Sequence, residues 1–217
     1  MSAASARWIR LGLLGGGDFG AACTALALSQ TADSPPIALW AQAQSDLRLT
    51  SDASCDSADP LWIERGEHAF AVIAPRARAP GRMPHWLGWA LAPVVATYRG
   101  FGLPAYWDRG TDEAAARLVW LRGAPIAHGA ASAIGECAVV VAGFSLGELP
   151  QLPLRVSTPG ALSQGLWRPL RALCSRDFED ALRRKLEAQH GWRFEHCWPS
   201  AREKAAIDET RQASLAI

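Results

Sequence analysis

Apolar runs alternate with turn residues along this chain and predict a mixture of helices and strands. Ala- and Leu-rich stretches with helical spacing indicate helices, and short apolar runs bounded by Gly, Pro or Asp indicate strands. The predicted elements of the first half are helices over residues 17–30 and 85–102 and a strand over 37–43. Residues 61–75 predict either two short strands on either side of Arg65-Gly66 or one strand bent at the glycine.

The strongest strand signal is a series of three apolar segments in the second half. They read RLVWL, IAHGAASAI and CAVVVAGFSL, and the turn residues RGAP and GE separate them. Consecutive strands joined by such short turns pair with their neighbours in antiparallel fashion. The segment therefore predicts an antiparallel meander, and the Pro-rich stretch ELPQLPLRVSTPG follows it as a connection.

The clearest helix covers residues 175–191, because its apolar residues share one face and its acids precede its bases. That face holds Phe178, Leu182, Leu186 and His190. Ser175 is the predicted N-cap and Gly191 the predicted stop. A last strand, WRFEHCW, and a polar helical tail follow. The predicted fold class is α+β, with mixed or antiparallel sheets packed against helices, in one domain over residues 1–200 and a polar tail over 201–217.

Composition narrows the function classes. The 217 residues are 49% hydrophobic and 20% charged, and the net charge of +1 gives no electrostatic support for nucleic acid or an anionic membrane as partner. No apolar stretch approaches the ~20 residues of a membrane span. The first 29 residues have some features of an export signal, but glycines and Asp18 interrupt the apolar run. Five cysteines without C-x-x-C spacing favour the cytoplasm and give no support for a metal site.

Gly143-Phe144-Ser145-Leu146-Gly147 matches G-x-S-x-G, the nucleophile elbow of serine hydrolases and acyltransferases. The elbow needs a helix directly after the serine, but Pro150 and Pro153 occupy that place. Acids and histidines with the chain order of a triad lie downstream, although most of them fall on the predicted helix 175–191. The match is interpreted as incidental, and a hydrolase or acyltransferase using Ser145 remains an alternative.

The order of segments resembles the catalytic domain shared by biotin protein ligases, lipoate protein ligases and octanoyltransferases. The resemblance spans residues 17–195 and rests on the succession APVVATYRGFGLPAYW, TDEAAARLVWLRG, APIAHGAASAIGE and CAVVVAGFSL. It implies the fold of that superfamily and a bound lipoate, octanoate or biotin, used with ATP by the ligases. It also implies a partner, the lipoyl or biotinyl carrier domain whose lysine receives the acyl group.

The chain departs from the family pattern where the chemistry is expected. The resemblance places Pro125 where the family has its essential lysine, and the chain's two lysines, Lys185 and Lys204, lie far downstream. The loop STPGALSQG lacks the cysteine that octanoyltransferases use, and Cys137 falls inside a predicted strand, where a buried apolar role is expected. Standard adenylation and thioester chemistry are therefore both expected to fail.

The resemblance still assigns candidate ligand-binding residues. The remnant of the family's glycine-rich loop supplies Arg65, Gly66 and His68, the loop before the meander supplies Asp112, and the lysine segment supplies Pro125, Ile126, Ala127, His128 and Gly129. No catalytic residue is assigned, and no cofactor beyond lipoate, octanoate or biotin with ATP is implied. Two readings follow: a pseudoenzyme that binds an acyl acid or a carrier domain, and an active acyltransferase that uses non-standard residues.

Overall fold

The computed structural model describes residues 3–14, 18–44, 47–49, 61–63, 66–107, 116–121, 124–146 and 173–215. The strands are β1 (Ala4–Leu14), β2 (Ile37–Ala43), β3 (Leu47–Leu49), β4 (Leu61–Ile63), β5 (His68–Pro75), β6 (Tyr106–Trp107), β7 (Ala116–Leu121), β8 (Ala124–Ile134), β9 (Cys137–Phe144) and β10 (Trp192–Cys197). The helices are α1 (Asp18–Leu28), α2 (Met83–Gly100), α3 (Ser175–His190) and α4 (Ala201–Leu215).

Within these ranges, eight strands form one mixed sheet in the order β10-β1-β2-β5-β9-β8-β7-β6. Strand β1 is parallel to both of its neighbours, and the other pairs are antiparallel. Strands β3 and β4 form a separate antiparallel pair. The fold class is α+β, as predicted, and the meander β7-β8-β9 is confirmed.

Side chains alternate between the two faces of the sheet and build two cores. One core packs against α2 and α3, and the sheet contributes to it chiefly Trp8, Trp40, Phe70, Val140 and Phe144. The other packs against α1 and Ile63, and the sheet contributes chiefly Ile9, Leu39, Ile73 and Val139. Helices therefore cover both faces of the sheet, which explains why β2 and β5 are apolar at almost every position.

Strand β1 is the longest element that the sequence pattern did not predict. Arg7 and Arg10 interrupt its apolar positions, and a β-bulge lies between Arg10 and Gly12, where Gly12 has a φ of 73°. Both arginines are paired with carboxylates from distant segments, Arg7 with Glu203 and Arg10 with Glu179. The cost of placing cations in a partly buried strand is offset by partners that the local sequence does not reveal.

Helix α3 confirms one predicted end and corrects the other. Gly191 follows the helix with a φ of 66°, the left-handed conformation expected of a glycine stop. The predicted N-cap, Ser175, is wrong: Cys174 is the N-cap, and Ser175 is the first helical residue. The hydroxyl of Ser175 is engaged elsewhere, on the side chain of His68.

Helix α4 packs against α1, and its Ile207 lies against the second core. Glu203 ties the helix to β1 because both of its carboxylate oxygens accept hydrogen bonds from the Arg7 guanidinium. Those hydrogen bonds lower the pKa of Glu203 to about 2. The polar tail of the sequence is therefore helical, as predicted, and its start is held to the sheet by an ion pair.

Candidate functional site

One end of the sheet collects most of the chemistry-bearing side chains. The alternating strand directions bring the carboxyl ends of β1, β2 and β9 next to the amino ends of β5 and β8. His68 pairs with Gln42 on one side and with Phe144 on the other, and Phe144 pairs with Ala127. The first turn of α3 reaches the same end, because Ser175 contacts His68.

An aromatic cluster of Trp40, His68, Phe144 and Phe178 fills the space between the sheet and α3 at this end. The His68 ring lies 5.2 Å from that of Trp40 and 6.2 Å from that of Phe144, centroid to centroid. Phe144 lies 5.2 Å from Trp40 and 5.4 Å from Phe178. His68 is 6% exposed, so its imidazole is fixed by packing as well as by hydrogen bonding.

His68 and Ser175 form a hydrogen-bonded pair inside this end of the sheet. The Nε2 atom of His68 lies 2.8 Å from the Ser175 hydroxyl oxygen. Within the described part of the chain, the buried Nδ1 atom of His68 has no hydrogen-bond partner. Burial lowers the pKa of His68 to about 4, while the charge of Glu179 acts in the opposite direction. The imidazole is therefore neutral at physiological pH.

Two histidines, the buried His68 and the partly buried His190, predict acid sensitivity. Burial also lowers the pKa of His190 to about 4, and His190 packs between Trp89 and Trp192 at centroid distances of 4.8 and 4.5 Å. The unfolded chain binds a proton at each site below about pH 6.5 and the folded chain does not, so stability falls as the pH is lowered from about 6.5 towards 4. The limiting slope is about 1.4 kcal/mol per pH unit for each histidine.

Urea unfolding at pH 7 and pH 5 measures this loss directly. The Glu203–Arg7 pair does not interfere, because the low pKa of Glu203 makes its contribution fall only below about pH 4.5. The free energy of unfolding of the His190→Gln variant is expected to fall less between pH 7 and pH 5, because the variant lacks the contribution of His190. An unfolding free energy that is the same at pH 7 and pH 5 in the native sequence would show that these imidazoles are not held neutral.

Glu179 is a buried carboxylate on the second turn of α3. One oxygen accepts a hydrogen bond of 2.8 Å from the indole N–H of Trp8, and the other is paired with the Arg10 guanidinium. Glu179 is 3% exposed, whereas half of the Arg10 side chain is exposed. The carboxylate thus anchors α3 to β1, and it neutralises the charge of Arg10 at this end of the sheet.

A cleft of about 380 Å³ lies beside the first turns of α3 and the ends of β1 and β10. Its walls carry both charges and indole rings, and they include Trp8, Arg10, Arg176, Glu179, His196 and Trp198. Trp198 is 76% exposed. The cleft is polar, and so it differs from an apolar tunnel for an acyl chain.

The structure separates the candidate residues of the lysine segment. Ala127 faces the aromatic cluster side of the sheet, and the carbonyl of Ile126 accepts a hydrogen bond of 3.0 Å from the Ser145 N–H. His128 points to the opposite face, where its ring packs against Gly143 and Ile63. Pro125 pairs with Trp120 in the β7-β8 ladder.

The other candidates lie elsewhere or outside the described residues. Gly66 forms the turn before β5 with a φ of 90°, and its N–H donates to the Ala43 carbonyl. Arg65 and Asp112 fall outside the ranges that the structure describes. The structure therefore brings Gly66, His68, Ile126 and Ala127 to one end of the sheet.

Gly129 lies against α2. A Cβ atom at this position would lie 2.5 Å from the Leu91 side chain and 3.2 Å from the Val141 carbonyl oxygen. Leu91 is buried and a backbone carbonyl cannot turn aside, so Gly129→Ala is expected to cost about 1–3 kcal/mol of unfolding free energy. The matched control is Gly88→Ala, inside α2 with nothing within 4 Å, which should stabilise by up to about 1 kcal/mol. Equal effects of the two variants in urea unfolding would contradict this packing.

Ser145 is bound into the sheet through its backbone. Its N–H donates to Ile126 of β8, and its carbonyl accepts a hydrogen bond of 2.8 Å from the Tyr98 hydroxyl. The residues that would form the helix of a nucleophile elbow, 147–150 and beyond, lie outside the described ranges. That G-x-S-x-G is incidental remains a prediction.

Sequence reasoning missed Arg10, Ser175 as a partner of His68, and Glu179. Glu179 carries a signal in hindsight, since it lies three residues before Leu182 and seven before Leu186, on the edge of the apolar stripe of α3. A carboxylate at such a position indicates a buried partner. Nothing local identifies that partner, because Trp8 and Arg10 lie about 170 residues away.

No family model matches this sequence, and no curated protein matches it either. Solved structures do. A lipoate protein ligase of T. acidophilum with bound lipoic acid superposes with a TM-score of 0.70 at 12% identity over 96% of this chain and 95% of that one. A second T. acidophilum structure is a bi-partite lipoate protein ligase described with its E2 lipoyl domain. It superposes with a TM-score of 0.69 at 12% identity over 96% of this chain and 92% of that one.

Lipoate-protein ligase A bound with ATP gives a TM-score of 0.69 at 14% identity over 96% of this chain and 94% of that one. A biotin acetyl coenzyme A carboxylase synthetase from Helicobacter pylori, bound to biotinylated ATP, superposes with a TM-score of 0.51 at 12% identity over 85% of this chain and 75% of that one. The fold is that of the lipoate and biotin protein ligases. At these identities the likeness establishes the ligase fold, and the resemblance of the segment order is confirmed at that level.

None of the helices in the described ranges combines the length and apolar character needed to cross a membrane.

Proposed function

We propose that this protein is a lipoate/biotin-ligase-like protein that binds a lipoyl- or octanoyl-type acid, either free or attached to a carrier domain, with ligase activity impaired or absent. The observation that carries the proposal is the superposition on lipoate protein ligases over 96% of the chain. The proposed binding region is the end of the sheet that holds Gly66, His68, Ile126 and Ala127, with Arg65 and Asp112 as further candidates.

The charge distribution supports impaired ligation. An adenylate-forming site needs fixed positive charge on the acid and the phosphates. The chain's two lysines, Lys185 and Lys204, are exposed on α3 and α4 rather than on the meander. Arg10 at this end of the sheet is already paired with Glu179, and Arg176 lies on the wall of the polar cleft rather than among the candidate residues. These described residues fit ATP poorly, and so the proposal includes no adenylation step.

The packing supports an apolar ligand. Trp40, Phe144 and Ala127 are buried beside His68, so the interior at this end of the sheet is apolar, which suits a hydrocarbon chain better than a nucleotide. In the structures with the same fold, lipoic acid is bound by the T. acidophilum ligase and biotinylated ATP by the H. pylori protein. Lipoate or octanoate is the ligand that this apolar interior favours, with biotin as an alternative.

The proposed macromolecular partner is a lipoyl or biotinyl carrier domain. One T. acidophilum neighbour is described with its E2 lipoyl domain. The proposed location is the cytoplasm, which is consistent with the free thiols of Cys23, Cys137, Cys174 and Cys197. We further propose that residues 1–200 form one domain, to which the helical tail is attached by the Arg7–Glu203 pair.

Thermal unfolding with added acids tests the binding, and intact-mass measurement of a lipoyl domain tests the transfer. Lipoate or octanoate is expected to raise the melting temperature, butyrate to raise it less, and ATP to add nothing. The lipoyl domain should keep its mass after incubation with lipoate and ATP. No stabilisation by lipoate, octanoate or biotin would remove the binding proposal, and a lipoylated domain formed only with ATP would show that the ligase is active.

A further inference from the structure

We propose that Ser175 accepts an acyl group from an activated ester or thioester, with His68 as its general base. The inference goes beyond the proposed function, because it names a covalent step that needs neither ATP nor a lysine. It identifies a specific residue pair for an acyltransferase that uses non-standard residues. It does not depend on lipoate being the acyl group.

The geometry of the pair meets the first requirement for such a step. A general base must lie within hydrogen-bond reach of the proton that it removes, and His68 Nε2 lies 2.8 Å from the Ser175 hydroxyl oxygen. In the tautomer with its proton on Nδ1, the Nε2 atom accepts that hydroxyl proton. The Trp40 and Phe144 rings hold the imidazole in place, so the base is oriented without a third hydrogen-bonding residue.

The step requires a base that is shielded from water and a nucleophile that lies at the surface. His68 is buried, whereas Ser175 is partly exposed, and Cys174 before it and Arg176 after it are exposed. Arg176 also lines the 380 Å³ cleft. The proposed step requires a substrate carbonyl to approach Ser175 from this solvent side, where its neighbours are exposed, while the base stays in a dry environment.

The start of α3 supplies donors for the developing oxyanion. The first intrahelical bond runs from the Phe178 N–H to the Cys174 carbonyl, so the N–H groups of residues 175–177 have no acceptor within the helix. Cys174, the N-cap, makes no side-chain capping bond to them. These N–H groups lie at the positive end of a 16-residue helix, next to the reacting hydroxyl.

The surroundings indicate an uncharged, apolar acyl group. Phe178 belongs to the aromatic cluster, and Phe101, which is 37% exposed, stacks on it at 5.9 Å. Phe101 thus continues the aromatic cluster to a partly exposed apolar surface beside α3. Medium-chain acyl esters and thioesters match this surface better than acetylated or charged donors.

The step conserves atoms and charge without any oxidant. The Ser175 oxygen forms a bond to the acyl carbon while its proton moves to His68 Nε2, and the carbon–sulfur or carbon–oxygen bond of the donor breaks. The electron pair leaves with the sulfur or oxygen, and the proton on Nε2 passes to it to give a thiol or alcohol. The product is an O-acyl ester on Ser175.

Intact-mass spectrometry after incubation with p-nitrophenyl octanoate tests the inference. We expect one octanoyl adduct on the native protein, located by peptide mapping to Ser175, and its loss in Ser175→Ala. In His68→Gln the rate of adduct formation should fall by about 10²–10⁴-fold, the usual contribution of a general base. Circular dichroism checks that the His68→Gln variant is folded. If that variant does not fold, the Ser175→Ala variant alone decides the test.

Two matched controls separate Ser175 from neighbouring nucleophiles. Cys174→Ala and Ser145→Ala should both form the adduct within about twofold of the native rate, because neither side chain contacts His68 in the described contacts. No adduct on the native protein, an adduct that survives Ser175→Ala, or one that vanishes in Cys174→Ala would each overturn the inference. Lipoate binding is measured separately by thermal unfolding, so failure of the proposed function is distinguishable from failure of this step.

Discussion

Replacing Phe178 with alanine is expected to lower the free energy of unfolding by about 3–5 kcal/mol, the usual range for a buried phenylalanine. The Phe178 ring is fully buried. Its centroid lies 4.8 Å from the ring centroid of Tyr98, 5.4 Å from that of Phe144 and 5.9 Å from that of Phe101. Aromatic neighbours on several sides cannot all move inward to fill the vacated volume, so a cavity remains. Urea unfolding at pH 7 measures the change.

The matched control is Trp198→Ala. Trp198 is a larger aromatic residue but is 76% exposed, so its removal should change stability by no more than about 0.5 kcal/mol. A loss below about 1 kcal/mol for Phe178→Ala would contradict the packing of α3 against the sheet, because it would mean that the ring is not surrounded.

Replacing Glu179 with alanine is expected to cost about 2–4 kcal/mol. The substitution leaves the buried indole N–H of Trp8 without its acceptor and frees Arg10 from its carboxylate. This expected cost is lower than the cost of breaking a fully buried ion pair, because Arg10 is 53% exposed and water solvates its guanidinium once the carboxylate is removed. Glu179→Gln retains an acceptor for Trp8 and should lose less. Chemical unfolding of both variants, followed by tryptophan fluorescence, gives the values.

Asp180→Ala is the control for Glu179. It removes a carboxylate from the next position of the same helix, where the Asp180–Arg183 pair has an N–O distance of 3.7 Å and a 43% exposed Asp180 side chain. A change within about 0.5 kcal/mol is expected for such an exposed pair. If Asp180→Ala and Glu179→Ala had equal effects, Glu179 would not be the buried anchor described above.

The parts of the fold that sequence reasoning recovered are those with local causes. The meander was predictable because each of its strands is a mostly apolar run and turn residues separate them. The end of α3 at Gly191 was predictable because only a glycine adopts φ of 66° without strain. The apolar face of α3 followed from the spacing of Phe178, Leu182 and Leu186, which are all fully buried.

The parts that were missed have long-range causes. Strand β1 is partly buried, and its two arginines are paired with Glu179 and Glu203, which come from the other end of the chain. Ser175 looked like an N-cap because serine commonly occupies that position, but its hydroxyl contacts a residue 107 positions away. No window of sequence contains both partners of these contacts.

The grouping of the candidate residues was also predictable only in part. The segment resemblance named His68, Ile126 and Ala127, and the structure places all three at one end of the sheet, while their role in binding stays a prediction. It could not show that consecutive strand residues diverge, with Ala127 beside Phe144 and His128 on the opposite face against Ile63. It also gave no indication that Trp40 and Phe144 would pack around His68.

Calorimetric titration of lipoate into the protein, with and without Mg-ATP, tests the central claim most directly. A ligase-like protein that binds the acid but does not activate it should give a saturable binding heat whose dissociation constant is the same in both titrations. An absence of heat from both free lipoate and a lipoylated carrier domain would contradict acyl binding. Tightening of lipoate binding by ATP together with pyrophosphate release would contradict the loss of ligase chemistry.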